Sequence, residues 1–253
     1  MFFHLLSRLS SFQFSVISYQ FSVISYQFSV IPMYIRNNYL EIKSRLPDGV
    51  KLIAVSKFHP VETIMEAYNA GQKVFGENRV QELVAKQPLL PADVEWHFIG
   101  TLQTNKVKFI APFISMIKSV DTLKLMQEIN RQAENCNRII RILLEVHIAE
   151  ETSKHGFSPA ACKALFADGI PAQFKNIQVC GLMGMATFTD DSEQIRREFG
   201  VLRTLFHEIK AMPETDNALF TELSIGMSDD YLIAIEEGST MVRIGSALFG
   251  VRG

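Results

Sequence analysis

The 253-residue sequence has little cysteine and no excess of either charge, and each shortage excludes a class of protein. Three cysteines, Cys136, Cys162 and Cys180, stand far apart without a CxxC spacing. This usage indicates a reducing compartment rather than a disulfide framework or a zinc site. The six histidines form no HxxxH or HExxH pair, so no metal site is predicted. A net charge of −2 leaves no basic excess that would indicate a nucleic-acid partner.

The sequence also lacks the signatures of nucleotide-binding loops and of membrane spans. No GxGxxG follows a predicted strand, and no GxxxxGK[ST] is present. The N-terminal stretch has one Arg inside it and apolar residues diluted by Ser and Gln, which fits neither a secretory signal nor a span of roughly 20 apolar residues. With 47% apolar and 21% charged residues, the composition is that of a globular protein with a large core. We therefore predict a cytoplasmic protein that binds neither nucleic acid nor membranes.

The N-terminal segment contains a repeat, QFSVISY, which runs twice from Gln13 to Tyr26 and breaks off after Ile31. The unit is too short for a solenoid and has no heptad pattern of apolar positions. We predict that residues 1–32 are a low-complexity extension without site residues, either disordered or translated from repeated upstream DNA. Met33 is then the expected native start, and 33–253 the folded domain.

Beyond this segment, short apolar runs alternate with helical patterns. Apolar runs of this kind are typical of parallel strands buried on both faces. Helices are predicted between them, with Asp121 and Ser158 as N-caps of two helices. Eight β segments in about 200 residues predict a single (β/α)₈ barrel rather than an open doubly wound sheet. The predicted strands are 51–57, 73–78, 94–100, 115–121, 138–149, 177–187, 220–228 and 241–250.

Two motifs at the last two strands predict a phosphate site. The loops after strands seven and eight of such barrels commonly bind phosphate through backbone amides and the start of a short helix. Either motif alone would be ordinary turn and capping chemistry, and their occurrence at both strands favours the site. The candidates in ELSIGMSDDYL and VRIGSALFG are Ser224, Gly226, Ser228, Arg243, Gly245 and Ser246.

Lys57 stands at the end of the first predicted strand. A lysine in this place is often only a solvated strand end. In a partly desolvated site, however, a lysine loses its proton more readily, and the neutral amine can attack an aldehyde to form an imine. Together with a phosphate site, Lys57 indicates either a Schiff-base aldolase acting on a sugar phosphate or a covalently bound pyridoxal 5′-phosphate (PLP).

Other polar residues near strand ends have structural interpretations. Asn78 is predicted to cap the following helix, with Gln81 as the partner in a capping box. His97 and His147 lie within apolar strands and are predicted to be core histidines. The methionines of GLMGMAT are predicted to pack inside the barrel.

Six motifs, in this order along the chain, resemble those of the pyridoxal phosphate homeostasis protein family. They are AVSKFHP, FGENRVQEL, WHFIGTLQTNK, GLMGMAT, ELSIGMSDDY and GSTMVRIGSALFG. The resemblance runs from about Tyr34 to Gly253 and implies a (β/α)₈ barrel of the alanine racemase N-terminal-domain type, the fold type III of PLP proteins. It implies an intracellular monomer that buffers or delivers PLP with little or no turnover, with transient contacts to PLP-dependent apoenzymes.

The resemblance also implies roles for six residues and a catalytic role for none. An arginine cannot readily give up a proton, so one beside the pyridine nitrogen keeps that nitrogen unprotonated and limits the ring as an electron sink. The implied cofactor-binding residues are Lys57, which forms the internal aldimine, Asn78 beside the ring, Arg243 at the pyridine nitrogen, and Ser224, Gly245 and Ser246 at the phosphate.

A PLP-dependent amino-acid racemase is the alternative function. Racemisation needs two acid–base groups on opposite faces of the cofactor. Alanine racemases take the second, a tyrosine, from a separate β domain across a dimer, whereas this chain ends at Gly253, three residues after the last predicted strand. Tyr231, the tyrosine nearest a strand end, lies inside a predicted helix, so the carrier is favoured. The aldolase ranks last because no carboxylates accompany Lys57.

Overall fold

Eight parallel strands form one sheet in the order β7-β6-β5-β4-β3-β2-β1-β8 in the computed structural model, which describes residues 34–150, 155–216 and 218–250. The predicted extension at 1–32 and the expected start at Met33 lie outside the described residues. The strands are β1 Lys51–Val55, β2 Val74–Glu77, β3 Glu95–Phe98, β4 Met116–Val120, β5 Ile140–Glu145, β6 Ile177–Met183, β7 Glu222–Ser224 and β8 Met241–Ile244.

The outer strands β7 and β8 approach each other and nearly close the sheet into a barrel. The Thr240 N–H donates to the Leu223 carbonyl at 2.9 Å, and the Arg243 N–H donates to the Gly226 carbonyl at 3.0 Å. Helices alternate with the strands along the chain. The predicted (β/α)₈ barrel is thereby confirmed, and its strand ends meet at one face where a site can form.

Nine α-helices are present in the described part of the chain. Short 3₁₀ turns occupy Gln87–Leu89, Thr104–Lys106 and Pro171–Gln173. The helices are α1 34–45, α2 Val61–Asn69, α3 Val80–Lys86, α4 Val107–Ile110, α5 Leu123–Asn135, α6 Pro159–Ala167, α7 Ser192–Lys210, α8 Tyr231–Glu236 and α9 Ser246–Phe249.

One of the two predicted helix caps is confirmed and the other is wrong by one residue. Ser158 accepts a hydrogen bond from the Ala161 N–H at 3.2 Å and caps α6 as predicted. For α5 the cap is Thr122, whose hydroxyl accepts from the Leu125 N–H at 3.3 Å, and not the preceding Asp121. The predicted Asp121 cap fails because the backbone leaves the extended conformation only after Thr122.

The two faces of the strands bury different sets of side chains. The outer face packs against the helices in one large apolar cluster. The inner face carries a small separate cluster formed by Ile53, Met116, Leu143, Cys180, Met183 and Met241. Met183 therefore packs inside the barrel, as predicted. Near the N-terminal ends of the strands, the carboxylate of Glu222 pairs with Lys51 at 2.6 Å and with Arg141 at 3.4 Å, so part of the barrel interior is polar.

The described residues contain no membrane-crossing helix and no cluster of metal-ligating side chains. None of their helices is both long and apolar enough to span a bilayer. No group of three or more His, Cys, Asp or Glu side chains in them is arranged to hold a metal ion. The three cysteines are free thiols, and burial raises the pKa of Cys162 to about 12.

Candidate active site at the barrel mouth

A cavity of about 860 Å³ opens at the C-terminal ends of the strands. Its position agrees with the rule that functional groups of such barrels lie at this face. Five of the six residues predicted to bind the cofactor line it, namely Lys57, Asn78, Arg243, Gly245 and Ser246. Ser224 is absent from its lining.

Lys57 reaches the cavity from a sharp turn that follows β1. Ser56 before it is fully buried, Lys57 is half-buried, and Phe58 after it has a φ of 66°. A bulky residue rarely adopts this left-handed conformation, because the Cβ atom crowds the backbone there. The turn is therefore imposed by its surroundings and determines where the Lys57 side chain begins.

The loop after β7 and the start of α9 together form an oxygen-binding cradle. Gly226 has a φ of 92°, and the turn it permits brings Ser228 beside α9. The Ser228 hydroxyl accepts hydrogen bonds from the Gly245 N–H at 3.2 Å and the Ala247 N–H at 3.4 Å. These two amides therefore point at one oxygen atom, and both Ser228 and Gly245 belong to the cavity lining. The geometry favours Ser228 over Ser224 as the hydroxyl at a phosphate site.

Ser224 lies beneath the cavity and holds an arginine. Its side chain is fully buried, and its hydroxyl accepts from Arg243 Nη1 at 2.8 Å and lies 3.4 Å from Lys118 Nζ. The hydroxyl lies 3.4 Å from the Met241 carbonyl, to which it can donate. The structure thus separates Ser224 from the other predicted residues and connects it to the cavity only through Arg243.

Arg243 is fixed in place in the cavity lining. Nη1 also donates to the Ser224 carbonyl at 2.7 Å, and Nη2 donates to the Gly184 carbonyl at 2.9 Å. Burial lowers the pKa of Arg243 to about 10, against the opposing effect of Asp230 and Glu145. The guanidinium therefore stays charged at neutral pH in a fixed orientation.

Glu145 is a cavity residue that the sequence patterns did not identify. It ends β5, which is four strands away from β1 in the sheet order, so it lies across the mouth from Lys57. Glu145 is 7% exposed. Burial raises the pKa of its carboxyl to about 7, and Asp121 adds to this rise while Arg243 opposes it. The only signal in the sequence was one acidic residue at the end of the apolar run ILLEV.

Asn78 does not cap a helix, so that prediction is wrong. The N-cap of α3 is Arg79, which makes no side-chain capping bond. Asn78 instead packs against Gly100, where an added Cβ atom would stand 2.3 Å from the Asn78 carbonyl oxygen. Its Oδ1 atom is buried without a hydrogen-bond partner among the described residues. A buried unpaired acceptor costs about 1–3 kcal/mol, which indicates a ligand as the missing partner.

Two histidines, the buried His97 and the half-buried His147, have buried ring nitrogens that are unpaired within the described part of the chain. Both ring nitrogens of His97 and Nδ1 of His147 lack hydrogen-bond partners there. Burial lowers the pKa of His97 well below its ordinary value, with Lys118, Arg141 and Lys51 adding to the effect, so His97 is neutral. His97 is a core histidine as predicted, although its nitrogens are not satisfied.

Comparison with known proteins agrees with this barrel. The model of the family "Alanine racemase, N-terminal domain" matches residues 33–253. A pyridoxal phosphate homeostasis protein of Aquifex aeolicus is 43% identical over 203 residues, which cover 80% of this chain and 87% of that protein. One from Schizosaccharomyces pombe is 40% identical over 207 residues, 81% of this chain and 85% of that protein. The chain belongs to the pyridoxal phosphate homeostasis protein family.

Solved structures place the same fold in this family and in alanine racemases. The structure of PipY from Synechococcus elongatus PCC7942, a COG0325 family member with PLP bound, is 37% identical with a TM-score of 0.77 and covers 85% of this chain and 100% of that one. Alanine racemase from E. faecalis is 17% identical with a TM-score of 0.71, covering 87% of this chain and 58% of that one. The latter likeness concerns the fold alone, and it confirms the predicted alanine-racemase type of barrel.

Proposed function

We propose that this chain binds PLP at the barrel mouth and serves intracellular PLP homeostasis, by buffering or delivering the cofactor with little or no turnover. The observation that carries the proposal is the convergence of Lys57, Arg243 and the amide cradle on one cavity. The names of the relatives and the PLP bound to PipY support it.

The residues present fit PLP group by group. Lys57, in its neutral form, would hold PLP by condensing with the aldehyde carbon, with loss of one water molecule. The amides of Gly245 and Ser246, together with the Ser228 hydroxyl, would hold the phosphate, since backbone donors and hydroxyls suit its oxygens. Asn78, with its unpaired buried Oδ1, would lie beside the ring.

Ser224 and Arg243 act together in this proposal. Ser224 holds Arg243 from below, and the guanidinium would approach the pyridine nitrogen. Because Arg243 keeps its charge and its protons at neutral pH, it would leave the pyridine nitrogen unprotonated, and the ring would be a weak electron sink. This supports low turnover.

Racemisation has little support in the described cavity. Tyr231, the tyrosine nearest a strand end, is 7% exposed and packs in the outer core. No tyrosine lines the cavity within the described residues, so a second acid–base group of that type is missing from its walls. We therefore rank the racemase below the carrier.

Imine trapping tests the proposal directly. The purified protein should be yellow, and borohydride should fix the cofactor onto the tryptic peptide that contains Lys57. Lys57→Ala should lose this adduct, whereas Lys175→Ala, at an exposed lysine outside the cavity, should retain it. An adduct that persists in Lys57→Ala would overturn the assignment.

Three further measurements test the carrier role. Incubation with L-alanine and chiral analysis should show almost no D-alanine, and turnover near the usual enzymatic range of roughly 1–10³ s⁻¹ would contradict the proposal. Size-exclusion chromatography should give a monomer. Mixing the loaded protein with a PLP-dependent apoenzyme should transfer the cofactor through transient contact, and the proposed setting for this transfer is the cytoplasm.

A further inference from the structure

A buried ionic cluster lies directly behind the turn that carries Lys57. It consists of Glu77 at the end of β2 and of Glu82 and Lys86 on α3, and we call it the turn cluster. Lys86 Nζ lies 2.8 Å from Glu77 Oε1 and 2.6 Å from Glu82 Oε1. The side chains of Glu77 and Lys86 are 0% and 9% exposed. Burial of such charges is unfavourable unless they are paired closely, as they are here.

The turn cluster binds the residues on both sides of Lys57. On the N-terminal side, the Ser56 carbonyl accepts from Lys86 Nζ at 2.9 Å, and the Ser56 hydroxyl donates to Glu77 Oε1 at 2.6 Å. On the C-terminal side, the Phe58 N–H donates to Glu82 Oε1 at 2.5 Å. The same ammonium group therefore joins both ends of the three-residue turn.

The contact with Glu82 accompanies the unusual backbone of the turn. Phe58 has a φ of 66°, which no local preference of a phenylalanine would select. The hydrogen bond between its N–H and a carboxylate is charge-assisted and therefore strong. The Arg79 guanidinium lies 4.7 Å from the centre of the Phe58 ring and adds a cation–π contact. The strained conformation persists because these contacts define it.

We propose that Glu82, supported by Lys86 and Glu77, is a positioning residue for Lys57: it holds the backbone after Lys57 in the conformation that aims the amine at an aldehyde bound in the cavity. The proposal rests on the proposed function, because it concerns the covalent step at Lys57. Glu82 is not among the residues that line the cavity, and its bond to the Phe58 N–H connects it to Lys57 through the turn. Misplacing a reacting group by about 1 Å can slow a reaction by about 10²-fold.

Three variants separate positioning from simple stability. Glu82→Ala removes the acceptor for the Phe58 N–H but leaves the Lys86–Glu77 pair intact. Glu82→Gln retains an acceptor oxygen of the same length and is the conservative rescue. Glu41→Ala is the matched control, since Glu41 forms an i,i+4 pair with Arg45 at 2.6 Å on α1, outside the cavity lining.

Two ligands separate the covalent step from the binding of phosphate and ring. PLP reports imine formation, followed by the rise of the absorbance band and by borohydride trapping at Lys57. 4′-Deoxypyridoxine 5′-phosphate has no aldehyde and reports non-covalent binding alone, by calorimetry. We expect Glu82→Ala to slow imine formation about tenfold or more while the affinity for the deoxy ligand changes less than about twofold. Glu82→Gln should recover most of the rate, and Glu41→Ala should match the wild type.

Each other outcome has a distinct meaning. Equal rates for Glu82→Ala and wild type, with trapping still at Lys57, would overturn the positioning role and leave the proposed function intact. Loss of rate and of deoxy-ligand affinity together would show a general structural effect and would also overturn it. If the wild-type protein forms no trappable adduct at Lys57, the proposed function itself fails. The melting temperatures of the ligand-free variants show whether each protein is folded during the test.

Discussion

The carboxyl of Glu145 should make the ligand-free protein less stable as the pH rises. Glu145 lies in the cavity wall and is only 7% exposed. Burial and the nearby Asp121 carboxylate raise its pKa from 4.5 to about 7, because both disfavour the charged form. Replacement by glutamine keeps the shape of the side chain and removes the ionisation.

The size of the effect follows from the difference in pKa between the folded and unfolded states. The folded protein holds this proton up to about pH 7, whereas the unfolded chain releases it near 4.5. The contribution of Glu145 to stability is therefore fully present below pH 4.5 and is lost as the pH rises through about 7. A difference of about 2.5 units at 1.36 kcal/mol each amounts to about 3 kcal/mol. Glu145→Gln should be more stable than wild type by roughly this amount at pH 8.

Thermal unfolding of protein freed of bound carbonyl ligands with hydroxylamine measures the difference. The melting temperature of Glu145→Gln should exceed that of wild type by about 6–12 °C at pH 8, and the gap should shrink steadily towards pH 4.5. Glu95→Gln, at an exposed position of β3 outside the cavity, is the matched control and should show no such trend. A gap that is absent at pH 8, or that grows on acidification, would refute the raised pKa and its assigned cause.

Three more substitutions test the groups around the cavity. Ser228→Ala should weaken the retention of PLP, measured by dialysis, about 10- to 100-fold, because a hydrogen bond to a charged phosphate contributes about 1.5–3 kcal/mol. Unchanged retention would show that the hydroxyl does not bind phosphate. Lys118→Met should raise the free energy of unfolding by about 1–3 kcal/mol in urea titrations, because it removes a buried amine whose desolvation is unfavourable and lowers its pKa well below the ordinary value. A lower free energy of unfolding would contradict this explanation. Gly226→Ala should lower the free energy of unfolding by about 1–3 kcal/mol, because φ is 92° and the new Cβ would lie 2.5 Å from the Ala234 Cβ. The control Gly200→Ala in α7 places its Cβ 3.8 Å from the nearest atom and should not destabilise the fold.

The barrel could be predicted from the sequence because its strands are buried on both faces. An apolar run such as that of β5 stands out against the charged helices, and eight such runs admit few other folds. The predicted ends were less accurate. The seventh strand was predicted at 220–228, but β7 covers only Glu222–Ser224, because Gly226 turns the chain into the loop before α8. Strand ends at the mouth become loops, and the apolar pattern continues into them.

The cavity residues could be predicted from the sequence only where their position at the end of a strand was enough to bring them to the barrel mouth. Lys57 and Arg243 lie near strand ends, and the barrel rule brings both to the mouth. The choice between Ser224 and Ser228 depends on which hydroxyl reaches the cavity, and on either side of the left-handed Gly226 only Ser228 belongs to the lining. The hydrogen bond between Glu82 and the Phe58 N–H depends on how α3 packs behind the turn after β1, and no periodicity in the sequence predicts it.

Asn78 shows how a correct local pattern can give a wrong assignment. An asparagine followed three residues later by glutamine is a sound capping signal, yet Arg79 takes the cap position and leaves the Asn78 amide at the cavity wall. Gly100 has no side chain at the point where one would collide with the Asn78 backbone, so the packing admits this placement. Compared with an Oδ1 that accepts a hydrogen bond, the unpaired buried Oδ1 lowers the stability of the ligand-free protein by about 1–3 kcal/mol. A ligand that donates to this oxygen removes that cost, so Asn78 should contribute to affinity for the ligand rather than to stability of the fold.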